Sequence, residues 1–216
     1  MRYDLERCTP GLGYKLLAST ITPRPIAWVT TRSTRGVVNA APFSFFNGMG
    51  SDPLTLVLGL MAGPGGDYKD TARNILDTGE FVVNLVPEAL ASQMNETSID
   101  APPDVSELDV AGLETAPSGS VAPPRIIGSP VAFECRTLQA IATGARQTVV
   151  IGQVLAVHVD DACLLDAALG YVDTPKLHLI ARMHGRGWYA RNPELFEMTR
   201  PTWAARQAAA SKEPSR

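Results

Sequence analysis

The sequence predicts a mainly β chain with peripheral helices, organised as one domain. Three observations carry that expectation. Thr22 to Asn47 reads as two strands joined by a turn. Leu54 to Leu60 and Phe81 to Val86 are short apolar runs of the length that suits buried strands. Val131 to Thr143 and Thr148 to Asp160 read as a long antiparallel pair, with one clear helix earlier in the chain.

The bounds come from length and composition. With 216 residues the chain can bury a sizeable core, and 45% hydrophobic against 19% charged residues is a globular balance. A formal net charge of -3 gives no electrostatic footprint for nucleic acid. No apolar run is long enough to span a bilayer. The charged start, MRYDLERCTP, has no apolar signal core, so a cytoplasmic location is expected. Cys8, Cys135 and Cys163 form an odd, widely spaced set, without a disulfide framework or a metal-ligand pattern. His158, His178 and His184 are too scattered to suggest zinc.

In chain order, Gly11 and Gly13 break the lead-in, leaving at most one helical turn at Tyr14 to Leu17. Ile26, Trp28 and Val29 sit among threonines, which suits a half-buried pleated surface. Ser33 to Gly36 supply turn chemistry, and Val37 and Val38 restart the strand. Asn39 to Asn47 then mixes small residues, a proline, a serine and phenylalanines without a clean period. Small residues let a ligand approach the backbone, and Pro42 rules out a regular central ladder. Polar groups beside aromatic bulk suit a flat, polar-edged molecule; an ordinary hairpin packed by its phenylalanines has the same local pattern. Gly48, Gly50, Ser51, Asp52 and Pro53 read as a turn. Leu54 to Leu60 reads as a strand buried on both faces.

A glycine-rich loop, Ala62 to Gly66, leads into DYKDTARNILDTGEF. Asp67 is the expected N-cap, with Asp70 as a partial capping box. Ala72, Ile75 and Leu76 form the apolar stripe, and Gly79 is the expected C-terminal stop. Unpaired amides at such a helix start attract anions. Lys69 and Thr71 could join them on a phosphate, although ordinary solvated charges on a surface helix look the same. Pro87 opens a short helix to about Met94. Residues 99–130, punctuated by prolines, read as an irregular excursion that packs on the surface. They are not a linker, because strands resume after them. The pair that follows has apolar residues on both faces of its second strand, as in a barrel wall covered outside. His158 within it reads as structural. Leu177 to Ala181 suggests a last strand, and the tail from Ala204 is expected to fray.

Several segments together resemble a known family. PRPIAWVTT, NAAPFSFFN, KDTARNI with FVVN after it, IGQVLAVHVDD and RMHGRGWYAR occur in the order of the flavin reductase-like, FMN-binding split-barrel family. The resemblance spans about residues 17–191, leaving 192–216 as a C-terminal extension. It implies a six-stranded antiparallel split barrel, a homodimer, FMN near the subunit interface, and NAD(P)H as reductant. Relatives include reductase components that supply a flavin-dependent monooxygenase partner.

The implied site residues follow the motifs. Arg24, Pro25, Ala27, Trp28, Val29, Thr30 and Thr31 match the first flavin-contacting strand. Asn39, Ala40, Ala41, Pro42, Phe43, Ser44, Phe45, Phe46 and Asn47 match the second, where backbone groups and Ser44 reach the ring's polar edge. Lys69, Asp70 and Thr71 match the phosphate-binding helix start. His184 and Gly185 match a segment near the ring, often from the neighbouring subunit, with His184 as the catalytic candidate beside the nicotinamide. That segment is bulkier here than the family's usual arginine-apolar-Gly-Gly pattern. No metal is implied. The resemblance leaves open a flavin reductase, a non-catalytic electron carrier, and a flavoenzyme that keeps its FMN for a dedicated small substrate.

Overall fold

The computed structural model describes residues 1–63, 65–185, 187–191 and 194–210, with residues 205 and 208–210 described by backbone alone. The first helix, α1 (Leu12–Thr20), is longer than the single turn expected. Gly11 takes a φ of 85° just ahead of it, a conformation glycine adopts without a Cβ penalty. Gly13 simply occupies the first turn.

Next come β1 (Ala27–Arg32), β2 (Val38–Phe43), β3 (Phe46–Ser51), β4 (Leu54–Met61), α2 (Asp70–Thr78) and β5 (Glu80–Leu85). The 48–51 stretch, expected as turn, belongs to β3, and the turn shrinks to Asp52 and Pro53. Then follow α3 (Ala91–Glu96), α4 (Glu107–Val110), β6 (Thr115–Ala116), β7 (Arg125–Ile126), β8 (Val131–Gly144) and β9 (Gln147–Val159). Short hairpins, β10 (Leu164–Asp166) with β11 (Tyr171–Val172) and β12 (Ala181–Arg182) with β13 (Tyr189–Ala190), precede α5 (Trp203–Ala210). Two late expectations change. Leu177 ends a 3-10 turn and His178 takes a φ of 46°, so no strand runs from Leu177 to Ala181. Residues 203–210 are helical where fraying was expected, while Arg186 and residues 211–216 lie outside the described residues.

Seven strands form one sheet in the order β2-β1-β5-β8-β9-β4-β3, antiparallel throughout. Its two edge strands, β2 and β3, are consecutive in the chain, with only Ser44 and Phe45 between them. Edges joined by so short a link cannot lie across a flat sheet from each other. The sheet therefore curls until they meet, as a barrel split along that seam. The Gly59 amide donates to the Phe45 carbonyl at 2.7 Å and carries the β3–β4 ladder into the bend. The six strands expected become seven because the bend at Ser44 and Phe45 divides one long strand.

Alternation sorts the side chains. Ala27 and Val29 join Leu56, Leu58, Leu60, Phe81, Val83, Cys135 and Val150 in the barrel core. Strand β4 is fully buried on that face only; its other face is half-covered, which corrects the two-sided burial expected. Phe81 is completely buried, and a Cβ on Gly152 would stand 2.4 Å from its ring Cζ, so a glycine is needed there. Ala72 and Ile75 bring α2 onto the same core, across one mouth of the barrel. That helix starts two residues later than expected, with Lys69 rather than Asp67 at the N-cap position and no side-chain cap. Gly79 ends it in the left-handed region, with φ 73°.

The outer face of β1 carries Trp28, packed with Ala40, Val86, Met94, Leu108, Ile126 and Ile180. Leu108 and Ile126 belong to the 99–130 excursion, which is thus a second layer on the sheet. Glu134 of β8 anchors that layer. Its fully buried carboxylate accepts from the Gly119 amide at 2.9 Å and the Ser120 amide at 2.5 Å, and lies 2.6 Å from His158 Nε2.

Candidate functional site

A cavity of about 420 Å³ opens where α2 meets the free edge of β2, a volume within the range of roughly 300–1,000 Å³ typical of small-molecule sites. Its walls are Asn39 and Ala41–Phe43 of β2, the 69–73 start of α2, the 97–103 segment after α3, and Glu107 of α4. Of the sequence-expected site residues it gathers Asn39, Ala41, Pro42, Phe43, Lys69, Asp70 and Thr71. A larger hollow of about 520 Å³ between β2 and the excursion contains none of them.

The cavity's base is a buried polar network. Asn39 is the hub. Its Oδ1 accepts from Thr71 Oγ1 at 2.7 Å and from Thr31 Oγ1 at 3.2 Å. Thr31 Oγ1 in turn accepts from Asn74 Nδ2 at 2.9 Å. Asn39 Nδ2 donates to Glu107 Oε2 at 3.0 Å, and the Ala40 amide reaches the same oxygen at 3.2 Å. All five side chains are buried. Burial pushes the Glu107 carboxyl above the usual carboxylate range, further than its own amide, the Ala40 amide and Asn39 pull it down. The charge of Asp70 adds to the rise.

Because the Ala40 amide points away from β1, the alternation of an antiparallel edge turns Pro42 the same way, and proline has no N–H to offer. The β2 edge is therefore closed to strand pairing along this wall.

At the cavity's mouth Lys69 Nζ sits 2.8 Å from Asp100 Oδ1, and Arg73 Nη1 sits 3.0 Å from Asp70 Oδ1. The Lys69–Asp100 pair is exposed and worth roughly 0–1 kcal/mol. An incoming anion can displace Asp100 cheaply. The first turn of α2, whose N-cap residue makes no side-chain cap, lines the same place.

The remaining expected residues lie elsewhere. Ala27 and Val29 face the barrel interior, and Trp28 and Thr30 the outer layer, where Trp28 Nε1 donates to Thr97 Oγ1 at 2.8 Å and Thr30 Oγ1 to the Pro124 carbonyl; Thr31 is the exception on β1, held in the network beneath the cavity. Pro25 lines a separate apolar cavity of about 310 Å³. Arg24 is a buried tie. Its guanidinium donates to the carbonyls of Ala18, Ile21 and Met183 and to Ser44 Oγ. It also stands 6.0 Å from the centre of the Phe45 ring. It thereby holds the β2–β3 bend beside the β12–β13 hairpin. His184 and Gly185 lie on that hairpin, exposed, with His184 stacked on Trp188 at 6.3 Å. Phe46 packs at the barrel core's margin, and Asn47 is exposed, its side chain accepting from the Gly48 amide.

Glu107, Asn74 and Asp100 are site residues that the sequence did not reveal. Asn74 had a readable signal, because it stands three residues from Thr71 on the same helix face. Glu107 and Asp100 had none; only the folded excursion brings them here.

A model of the flavin reductase like domain matches residues 19–175, most of the chain. The chain belongs to the flavin reductase-like family. The matched domain contains β1, β2, α2 and Glu107, while the β12–β13 hairpin follows it. Among curated sequences, an uncharacterized Bacillus subtilis protein, YwrF, is 41% identical over 88% of this chain and 93% of its own length. Among solved structures, nitrilotriacetate monooxygenase component B from Bacillus cereus superposes with a TM-score of 0.86, at 32% identity, over 92% of this chain and 98% of that one. The 2-nitrobenzoate 2-nitroreductase NbaA of Pseudomonas fluorescens reaches 0.84 at 30% identity, over 94% and 98%.

Proposed function

We propose that this flavin reductase-like protein binds FMN and catalyses hydride transfer to it from NAD(P)H, supplying reduced flavin to a partner oxygenase. The observation that carries this reading is the cavity that joins β2 to the uncapped start of α2 beside Lys69. Its donor set suits a phosphate: an ammonium displaceable from Asp100, and amides aligned with a helix dipole. The β2 wall, with a small residue at Ala41, leaves room for a flat ring near the backbone. When bound, FMN supplies the redox centre of the reaction. Arg24 has a positioning part, since it fixes Ser44 and the His184 hairpin together. His184 is exposed and able to meet a nicotinamide, either in its own subunit or across an interface.

Similarity to component B of a monooxygenase supports the partner. The three cysteines are all unbridged, which supports a cytoplasmic location. Among the described residues no helix is long and apolar enough to cross a membrane.

The test is optical. Purified protein should bind FMN, show flavin absorbance, and bleach on addition of NADH or NADPH. Riboflavin should bind at least about tenfold more weakly, for want of a phosphate. Equal affinities would remove the phosphate site, and flavin that binds but does not bleach would make the protein a carrier. The near-equal likeness to NbaA favours a second reading, a flavoenzyme that retains FMN for its own small substrate. Retention of FMN through repeated spin filtration would select it over the release of reduced flavin.

A homodimer is also proposed. Strand β3 is exposed from Asn47 to Ser51 and β8 from Leu138 to Gly144, and Met49, Leu138 and Ile141 lie on them. A sheet surface of this kind is covered economically by a second copy. Light scattering at micromolar concentration should give twice the chain mass; a monomer that still holds FMN would exclude the dimer.

A further inference from the structure

We propose that Glu107 is a positioning residue of this site: by accepting from Asn39 Nδ2 and the Ala40 amide, it fixes the orientation of the Asn39 carboxamide and, through Asn39, the proton directions of Thr31 and Thr71. The inference rests on the FMN reading above and assigns a role to the excursion that covers the sheet.

The geometry is directional. The Ala40 amide can only donate, so Glu107 Oε2 is an accepting oxygen, and a carboxamide has one accepting and one donating end. With Glu107 at 3.0 Å, the Asn39 nitrogen must face it, so Asn39 Oδ1 must face the hydroxyls of Thr31 and Thr71. Both hydroxyls then donate to Asn39. Asn74 donates to the remaining face of Thr31 and closes the chain. Thr71 is 1% exposed and its proton is committed, so its side chain offers a ligand only an oxygen lone pair. A phosphate at this helix start is therefore served by Lys69 and the backbone amides, and the Thr71 oxygen suits a hydroxyl donor such as one on the ribityl chain. Flipping Asn39 would reverse that polarity. Glu107 is the group that forbids the flip, and it holds β2 and α2 in one hydrogen-bonded unit from a helix packed on the β2 edge.

Two variants separate orientation from charge and from bulk structure. Glu107→Gln keeps an acceptor for Asn39 and Ala40 but removes the charge. Glu107→Leu removes both. FMN affinity, followed by flavin fluorescence quenching, should stay within about twofold of the parent or tighten in Glu107→Gln, and weaken roughly tenfold or more in Glu107→Leu. Riboflavin affinity should fall in the same proportion in Glu107→Leu, because the phosphate is not what is disturbed. The side-chain amide resonances of Asn39, assigned by NMR in the ligand-free protein, should stay dispersed in Glu107→Gln and collapse toward those of a solvated asparagine in Glu107→Leu. Tightening in both variants would mean that Glu107 acts only as a repelling charge. Unchanged affinity in a folded Glu107→Leu protein, or equal losses in both variants, would overturn the proposal. A parent that binds no flavin would sink the FMN reading alone, and the Asn39 resonances would still decide whether Glu107 orients the network.

Discussion

Replacing Lys69 by alanine should weaken FMN binding by roughly ten- to a hundredfold, because a charged partner to a phosphate contributes about 1.5–3 kcal/mol. The surroundings sharpen that expectation. Lys69 is paired with Asp100 at 2.8 Å, and that exposed pair has to give way when phosphate arrives. Alanine at 69 leaves Asp100 uncompensated at the cavity's mouth, so part of the loss is repulsion. The double variant Lys69→Ala, Asp100→Asn should recover that part and no more. High salt should shrink the difference between parent and variant, since both groups are solvated. Riboflavin affinity and thermal stability should hardly move, because no buried group is lost. Isothermal titration with FMN and riboflavin checks all of this. If Lys69→Ala binds FMN as the parent does, the phosphate is elsewhere. Arg24 is a poor substitute, since its guanidinium is spent on three carbonyls and Ser44. Arg73, which lines the same cavity, becomes the next candidate.

Strands β1, β4, β5, β8 and β9 were legible because each is a local statement. Runs such as Phe81 to Val86 are rich in β-branched residues and end at a proline, so composition and punctuation agree. The end of α2 was legible for the same reason: Gly79 takes the left-handed conformation that stops a helix. Its start was misplaced because Asp67 looks like a cap while the chain spends two more residues in a loop before helical bonding begins. Closure of the barrel was not local. It follows from β2 and β3 becoming opposite edges of one sheet, which pairing with distant strands decides.

The site divides along the same line. Asn39–Phe43 and Lys69–Thr71 were nameable as candidates from small residues, a proline and a helix start, the family resemblance joined them, and the fold brings most of them to one cavity. What the resemblance lumped together, the fold separates. Trp28 and Thr31 are close in sequence but point to opposite faces of β1, one into the outer layer and one into the network beneath the cavity. Glu107 was out of reach, because it meets Asn39 across 68 residues of chain from an excursion whose prolines hide any periodicity. A buried acid in such a segment looks, in sequence, like any solvated one.

Glu134→Ala should destabilise the fold by about 3–5 kcal/mol, the range for removing one member of a buried, hydrogen-bonded charged group. The carboxylate is fully buried and takes the amides of Gly119 and Ser120 together with His158. Alanine leaves two amides without their acceptor and a void beside Val82, Val121 and Ala132. Burial alone would raise the Glu134 pKa, but the Gly119 amide, His158 and the Ser120 amide outweigh it and hold the carboxyl below the ordinary glutamate value. A carboxyl lowered in the folded state stabilises the fold above its unfolded pKa, and that contribution fades as pH falls through the folded value. Glu107 works in the opposite sense. Its raised pKa makes its contribution fully present only below the unfolded value, and lost as pH rises through the folded one. The acid limb of the parent therefore mixes two opposing terms, and the difference between parent and variant isolates Glu134. Urea unfolding at pH 7 and at pH 3 should show a large gap between parent and Glu134→Ala at pH 7 and a smaller one at pH 3. Equal gaps at both pH values would mean that shape alone, not the ionised carboxylate, anchors the excursion to the sheet.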